Sequence, residues 1–135
     1  MKYILMMLAP YGDGDYWVMQ WDRGDLDAHI EYMKALNEEL VRSGELVTAE
    51  GLAPPKDARL VRAEPDGAPM VTDGPFAEAR EFVAGFWIVD VDTPERAHAI
   101  AARASRAPGP GGEPLYLELE VRPVMEAPSP SDEPS

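Results

Sequence analysis

Three observations in the sequence predict an α+β fold. Apolar runs begin the chain, recur in its middle and return just before its Pro/Ser/acidic end, and two intervening stretches carry apolar residues at helical spacing. The segments follow one another as strand, helix, strand, hairpin, strand, helix, strand. That order is a βαβ unit repeated with a hairpin inserted between the copies, a ferredoxin-like sandwich. Its two helices can cover only one sheet face, so the apolar residues of the other face need a partner.

Residues 1–8 form a short apolar run stopped by Pro10 and Gly12, which suits an interior strand. Residues 9–24 read as a long loop carrying Tyr11, Tyr16, Trp17 and Trp21, more aromatic surface than a plain connector requires. Over residues 25–42, Leu26, Ile30, Met33, Leu40 and Val41 recur at helical spacing, with Asp25 or Gly24 as cap and Gly44 as stop. Residues 45–51 read as a strand. Leu60-Val61-Arg62 then pairs with Met70-Val71-Thr72 as a hairpin around Asp66-Gly67.

Residues 82–91 are nearly all apolar, as in a strand covered on both faces. Asp92-Thr93-Pro94-Glu95 offers an N-cap, a proline in the first turn and an acid three residues after Asp92, so a second helix runs to about residue 104. Residues 108–114 read as a flexible loop. Residues 115–122 alternate Leu115, Leu117, Leu119 and Val121 with Tyr116, Glu118, Glu120 and Arg122, the pattern of a last strand.

A chain of 135 residues fits one domain, and one of this size buries roughly two-thirds of its unfolded surface without metal or disulfide help. The domain is expected over residues 1–125, and the Pro/Ser/acidic stretch 126–135 is expected to be a disordered tail. Without cysteine there is no disulfide framework, thiolate nucleophile or cysteine metal site. A formal net charge of −13 repels phosphate backbones and anionic lipid, which disfavours nucleic-acid and membrane partners. The apolar stretch after Lys2 is too short for a signal peptide, and none approaches the ~20 residues that span a bilayer. A cytoplasmic protein is expected.

The most informative stretch is Val71-Thr72-Asp73-Gly74-Pro75-Phe76-Ala77-Glu78, a rigid turn directly after a β-like run. Gly74 permits positive φ and Pro75 fixes its own φ, so Asp73 is held at a strand end. With the opening Met1-Lys2-Tyr3-Ile4-Leu5-Met6, Gly51-Leu52-Ala53-Pro54-Pro55, Gly85-Phe86-Trp87-Ile88-Val89-Asp90-Val91 and Glu120-Val121-Arg122-Pro123-Val124, the Asp-Gly-Pro-Phe signature resembles the DGPF branch of the YCII-related proteins. The resemblance covers roughly residues 1–125. It implies a homodimer whose two sheets pack face to face into a dimeric α+β barrel enclosing a cleft, and a functional histidine on the first helix. It also implies a link to extracytoplasmic-function sigma factors, which DGPF proteins commonly accompany. YCII-related proteins outside that branch pair the histidine with an aspartate near the helix end; here Val41-Arg42-Ser43 precede Gly44, and no acid stands there.

His29 is the first catalytic candidate, because helical spacing sets it beside the stripe of Leu26, Met33 and Leu40. An imidazole there can act as general base or acid; the alternative is a hydrogen-bonded histidine beneath the aromatic loop. Asp73 can serve as its polar partner or simply cap backbone donors in the turn. Trp17 and Trp21 can stack on a planar substrate or pack between subunits. Phe76 can contact substrate or seat the turn on the core. Glu118 and Glu120 share a direction, toward solvent or a barrel interior, with Arg122 beside them to neutralise the pair or hold an anionic ligand. His98 lies off the face of Ala97, Ile100, Ala101 and Ala104 and reads as surface.

No metal is implied, because the two histidines, His29 and His98, lie on different helices and no Cys pattern exists. No nucleotide cofactor is implied either, since Gly109 to Gly112 lacks the lysine of a phosphate loop. The resulting expectation is a small cofactor-free enzyme of lyase, dehalogenase or isomerase type that binds a small aromatic or carbonyl-containing metabolite in a dimer cleft, with His29 moving a proton. The alternative is a non-enzymatic ligand-binding or sigma-factor-associated regulatory module.

Overall fold

Alternation along the first strand, β1 (Lys2–Pro10), sets the layers: Tyr3, Leu5, Met7 and Ala9 are buried, whereas Ile4, Met6 and Leu8 are only half-buried. A computed structural model of the chain describes residues 1–10, 20–73 and 81–126. After β1 come α1 (Arg23–Arg42), β2 (Leu46–Gly51), the hairpin strands β3 (Arg59–Ala63) and β4 (Pro69–Asp73), β5 (Glu81–Asp90), α2 (Pro94–Ser105) and β6 (Leu119–Pro123). Four strands form an antiparallel sheet in the order β2-β5-β1-β6, and β3 with β4 forms a separate two-stranded sheet. Each βαβ unit starts on a central strand and ends on an edge, an α+β arrangement compatible with the ferredoxin-like fold.

Both helices lie on the face that carries Tyr3, Leu5, Met7, Trp87 and Val89, and the core forms between them and the sheet. From α1 the buried residues are Leu36 and Leu40, with Met33 packed beside them. The stripe expected from sequence is corrected here: Ile30 is 50% and Val41 64% exposed, whereas Leu36 is 1% exposed. Two apolar stripes fit α1, and the covered one steps through Met33, Leu36 and Leu40 in intervals of three and four. The helix also starts earlier than expected, with Asp22 at the cap position making no side-chain cap bond, and Gly44 at φ +78° ends it.

The second helix is capped one residue later than expected, where the Thr93 hydroxyl accepts from the Arg96 backbone N–H at 3.2 Å and Pro94 fills the first turn. Ala97, Ile100, Ala101 and Ala104 are its buried face, and small side chains let it approach the sheet closely. The last strand is shorter than its alternation suggested: Tyr116 takes φ +52°, which breaks extended backbone, and β6 begins at Leu119. Leu117, Leu119 and Val121 still pack against the core. In the hairpin, Leu60, Val61 and Arg62 face Thr72, Val71 and Met70, the expected register, and Asp66 Oδ1 accepts from the Ala68 backbone N–H at 2.9 Å in the turn.

Candidate functional site

His29 sits half-buried on α1, and its ring is fixed by a bond 79 residues away: Nδ1 lies 3.0 Å from the backbone oxygen of Pro108. A carbonyl oxygen only accepts, so Nδ1 carries the proton. In the neutral ring Nε2 is then the lone-pair nitrogen, and among the described residues nothing is bonded to it. Residues 108–114, expected as a flexible connector, are instead closed by Leu115 N–H to Ala107 O at 3.0 Å and Gly109 N–H to Glu113 O at 2.7 Å. Gly109 is buried against Leu115, whose side chain would have to shift to admit a Cβ there. The loop thus presents the Pro108 carbonyl to α1 from a braced position.

A cleft of about 230 Å³ opens beside the imidazole, between α1 and the β2–β5 side of the sheet. His29, Met33 and Asn37 wall it from the helix, and Met7, Ala49 and Trp87 from the sheet. Glu50 and Phe86 also border it, but they are cross-strand partners on the opposite sheet face from Ala49 and Trp87, so they meet the cleft through backbone. Gly85 makes this wall possible, because a Cβ there would stand 2.9 Å from the Glu50 carbonyl oxygen and would push β2 away.

Asn37 and Trp87 are linked by a 2.7 Å bond from indole Nε1–H to Asn37 Oδ1. Since the indole is a donor only, this bond settles which way the amide points and leaves its NH2 group free of any described acceptor. Sequence reading missed both residues. The available signal was the line His29, Met33, Asn37, four residues apart on one helical flank.

Of the residues expected to act, two are brought together: the Trp21 and His29 rings meet edge to face, with centroids 5.5 Å apart and planes at 83°. Asp73 ends β4 as expected, but its carboxylate lies 2.9 Å from Arg59 Nε across the hairpin and does not line the His29 cleft. Arg122 is exposed on β6 opposite Ile4, on the face away from the helices and therefore away from His29. Glu120 shares that face, whereas Glu118 precedes the strand. Trp17 and Phe76 lie outside the described residues. The imidazole lies on the sheet face that α1 covers, and the cleft beside it is lined by residues of α1, β1, β2 and β5.

Among the described residues no group of three or more His, Cys, Asp or Glu side chains gathers as a metal site, and no helix is long and apolar enough to cross a membrane. An uncharacterized protein of Rhizobium meliloti (strain 1021) is 29% identical over 104 residues, which span 77% of this chain and 79% of that protein. The sequence model of the YCII-related domain matches residues 1–123, almost the whole described fold including the helix that carries His29. The chain therefore belongs to the YCII-related domain family.

Proposed function

We propose that the protein is a small cofactor-free enzyme in which His29 takes a proton from an aromatic or carbonyl-containing metabolite, as in lyases, dehalogenases and isomerases that pass through an enol-like intermediate. The observation that carries this reading is the 3.0 Å bond between His29 Nδ1 and the Pro108 carbonyl. It holds the neutral ring in the tautomer whose Nε2 can accept a proton. Once Nε2 is protonated the same bond becomes charge-assisted and steadies the imidazolium. Met7, Met33 and Trp87 set apolar side chains around the adjoining cleft, which limits solvation of the base. Trp21 packs on the imidazole, and the Asp-Gly-Pro-Phe signature supports placement in the DGPF branch. The reading includes a homodimer of the α+β barrel type, supported by the sheet face of half-buried Ile4, Met6, Phe86 and Ile88, which no described helix covers.

A second reading, a ligand-binding or sigma-factor-associated regulatory module, is favoured by the hairpin, on which Leu60, Val61, Met70 and Val71 are all exposed. Deuterium exchange into a panel of ketones in D2O separates the two. An enzyme accelerates exchange at carbons next to the carbonyl, and His29→Ala lowers the rate roughly 10²-fold or more. Binding without exchange, with equal affinity in wild type and His29→Ala, would select the regulatory module.

A further inference from the structure

Asn37 is the one polar side chain besides His29 that the described residues contribute to the helix wall of the cleft, and the Trp87 indole on the facing sheet wall fixes which end of its amide accepts. Its oxygen is occupied at 2.7 Å and its two N–H donors have no described acceptor. The side chains that face it from the sheet, Met7, Ala49 and Trp87, carry no charge, and the cations nearest on α1, Lys34 and Arg42, line the open groove on the other side of Met33 and Asn37 and not this cleft. A carboxylate would lose its hydration there without an ionic partner, whereas a neutral carbonyl oxygen needs only the hydrogen bond.

His29 and Asn37 are eight residues apart on α1, which separates them by roughly 12 Å along the helix axis. Allowing roughly 3 Å for a hydrogen bond at either end leaves about the length of one para-substituted six-membered ring. The cleft, at about 230 Å³, falls below the ~300–1,000 Å³ of pockets for drug-sized ligands, which suits a molecule of one ring.

We propose that Asn37 is the specificity-determining residue of this cleft: it donates a hydrogen bond to a neutral carbonyl oxygen at the far end of a one-ring substrate whose near end meets His29. The proposal rests on the proton-transfer reading only for what happens at the near end. The donor role of Asn37 follows from its bond to Trp87 alone.

The probes are 1,4-diacetylbenzene, which has an acceptor at both ends, and 4-aminoacetophenone, which replaces one acceptor by a donor. Binding is followed in ¹⁵N NMR titrations of the full chain by the indole N–H signal of Trp87, which lines the cleft and is retained in wild type and in every variant of residue 37. Wild type is expected to bind 1,4-diacetylbenzene roughly fivefold more tightly, the worth of one hydrogen bond. Asn37→Asp keeps an oxygen for the Trp87 indole N–H, so the wall stays assembled, but replaces the donor by an acceptor; the preference is expected to reverse. Asn37→Ala removes both roles and checks the wall itself.

Equal affinities for the two probes in wild type, a preference that Asn37→Asp leaves unchanged, or no binding of 1,4-diacetylbenzene at millimolar concentration would each overturn the proposal. Deuterium exchange at the acetyl methyl groups is measured in the same samples. The expected preference without exchange leaves the Asn37 contact standing and removes proton transfer; exchange with no dependence of preference on residue 37 does the converse.

Discussion

Trp87 is 6% exposed, and an indole N–H at that depth has to find an acceptor. Asn37 Oδ1 supplies it at 2.7 Å. The bond acts in two directions, satisfying the core and leaving the amide NH2 of a cleft-lining residue as the free end. Trp87→Phe keeps most of the apolar burial and removes only the donor, leaving the half-buried Asn37 oxygen unpaired, so a loss of about 1–2 kcal/mol is expected. Urea denaturation of the variant beside wild type measures it, and the slope of the transition should stay unchanged because the surface exposed on unfolding is nearly the same. An unmoved midpoint would show that water serves Asn37 equally well. The neighbouring Gly85 has no such latitude, because the atom a Cβ would meet is the backbone oxygen of Glu50.

The elements are tied together at their ends, most firmly where α2 meets the turn after α1. Arg96 grips Glu45 through two bonds of 2.8 Å, and the Ser43 hydroxyl donates to the same carboxylate at 2.7 Å. These bonds, Arg96 first and Ser43 second, hold the Glu45 carboxyl at about 2, below its ordinary 4.5, against the opposing effect of burial. A carboxyl lowered in the folded state stabilises the fold fully above its unfolded value and loses that contribution as pH falls. The loss should therefore run from about 4.5 down to about 2. For a pair at the surface the contribution is about 0.5–1 kcal/mol. The gap in urea midpoint between wild type and Arg96→Met should be open at neutral pH and close across that window; a gap constant with pH would assign it to packing of the arginine stem. Such ties also explain how far the sequence could be read. The hairpin register was legible because Asp66-Gly67 fixes the turn locally, and the length of α1 because its stop signal is local too. Which stripe of α1 is covered was not, since Ile30 and Leu36 are equally apolar and only the position of the sheet separates them. His29 could be placed near the inner face from spacing alone. Its partner Pro108 could not, nor could the bond between Asn37 and Trp87 across 50 residues, because both depend on how the helices lie on the sheet.

At the scale of the whole molecule, the sheet has one face covered by helices and one that presents Ile4, Met6, Phe86 and Ile88. A second copy that covers this face in the proposed homodimer would meet it with the same patch about a twofold axis. The charge of the chain sets the salt dependence. Two copies at −13 repel at long range, so apolar association should tighten as salt screens that repulsion, whereas docking of the acidic surface on a basic partner should weaken. A substitution at Met6 can break the contact without breaking the fold, because Met6 stands directly opposite Glu120 on β6. In Met6→Lys the new ammonium gains a cross-strand carboxylate within one chain, worth roughly 0.2–1 kcal/mol. In the dimer the same ammonium would have to lose water against an apolar patch. Sedimentation equilibrium should show wild type as a dimer that tightens between ~0.05 and ~0.5 M salt, a range over which the screening length falls severalfold. Met6→Lys should be a monomer with a near-native urea midpoint. A monomeric wild type at every salt concentration, or a Met6→Lys variant that still sediments as a dimer, would mean that this sheet face is not where copies of this chain meet.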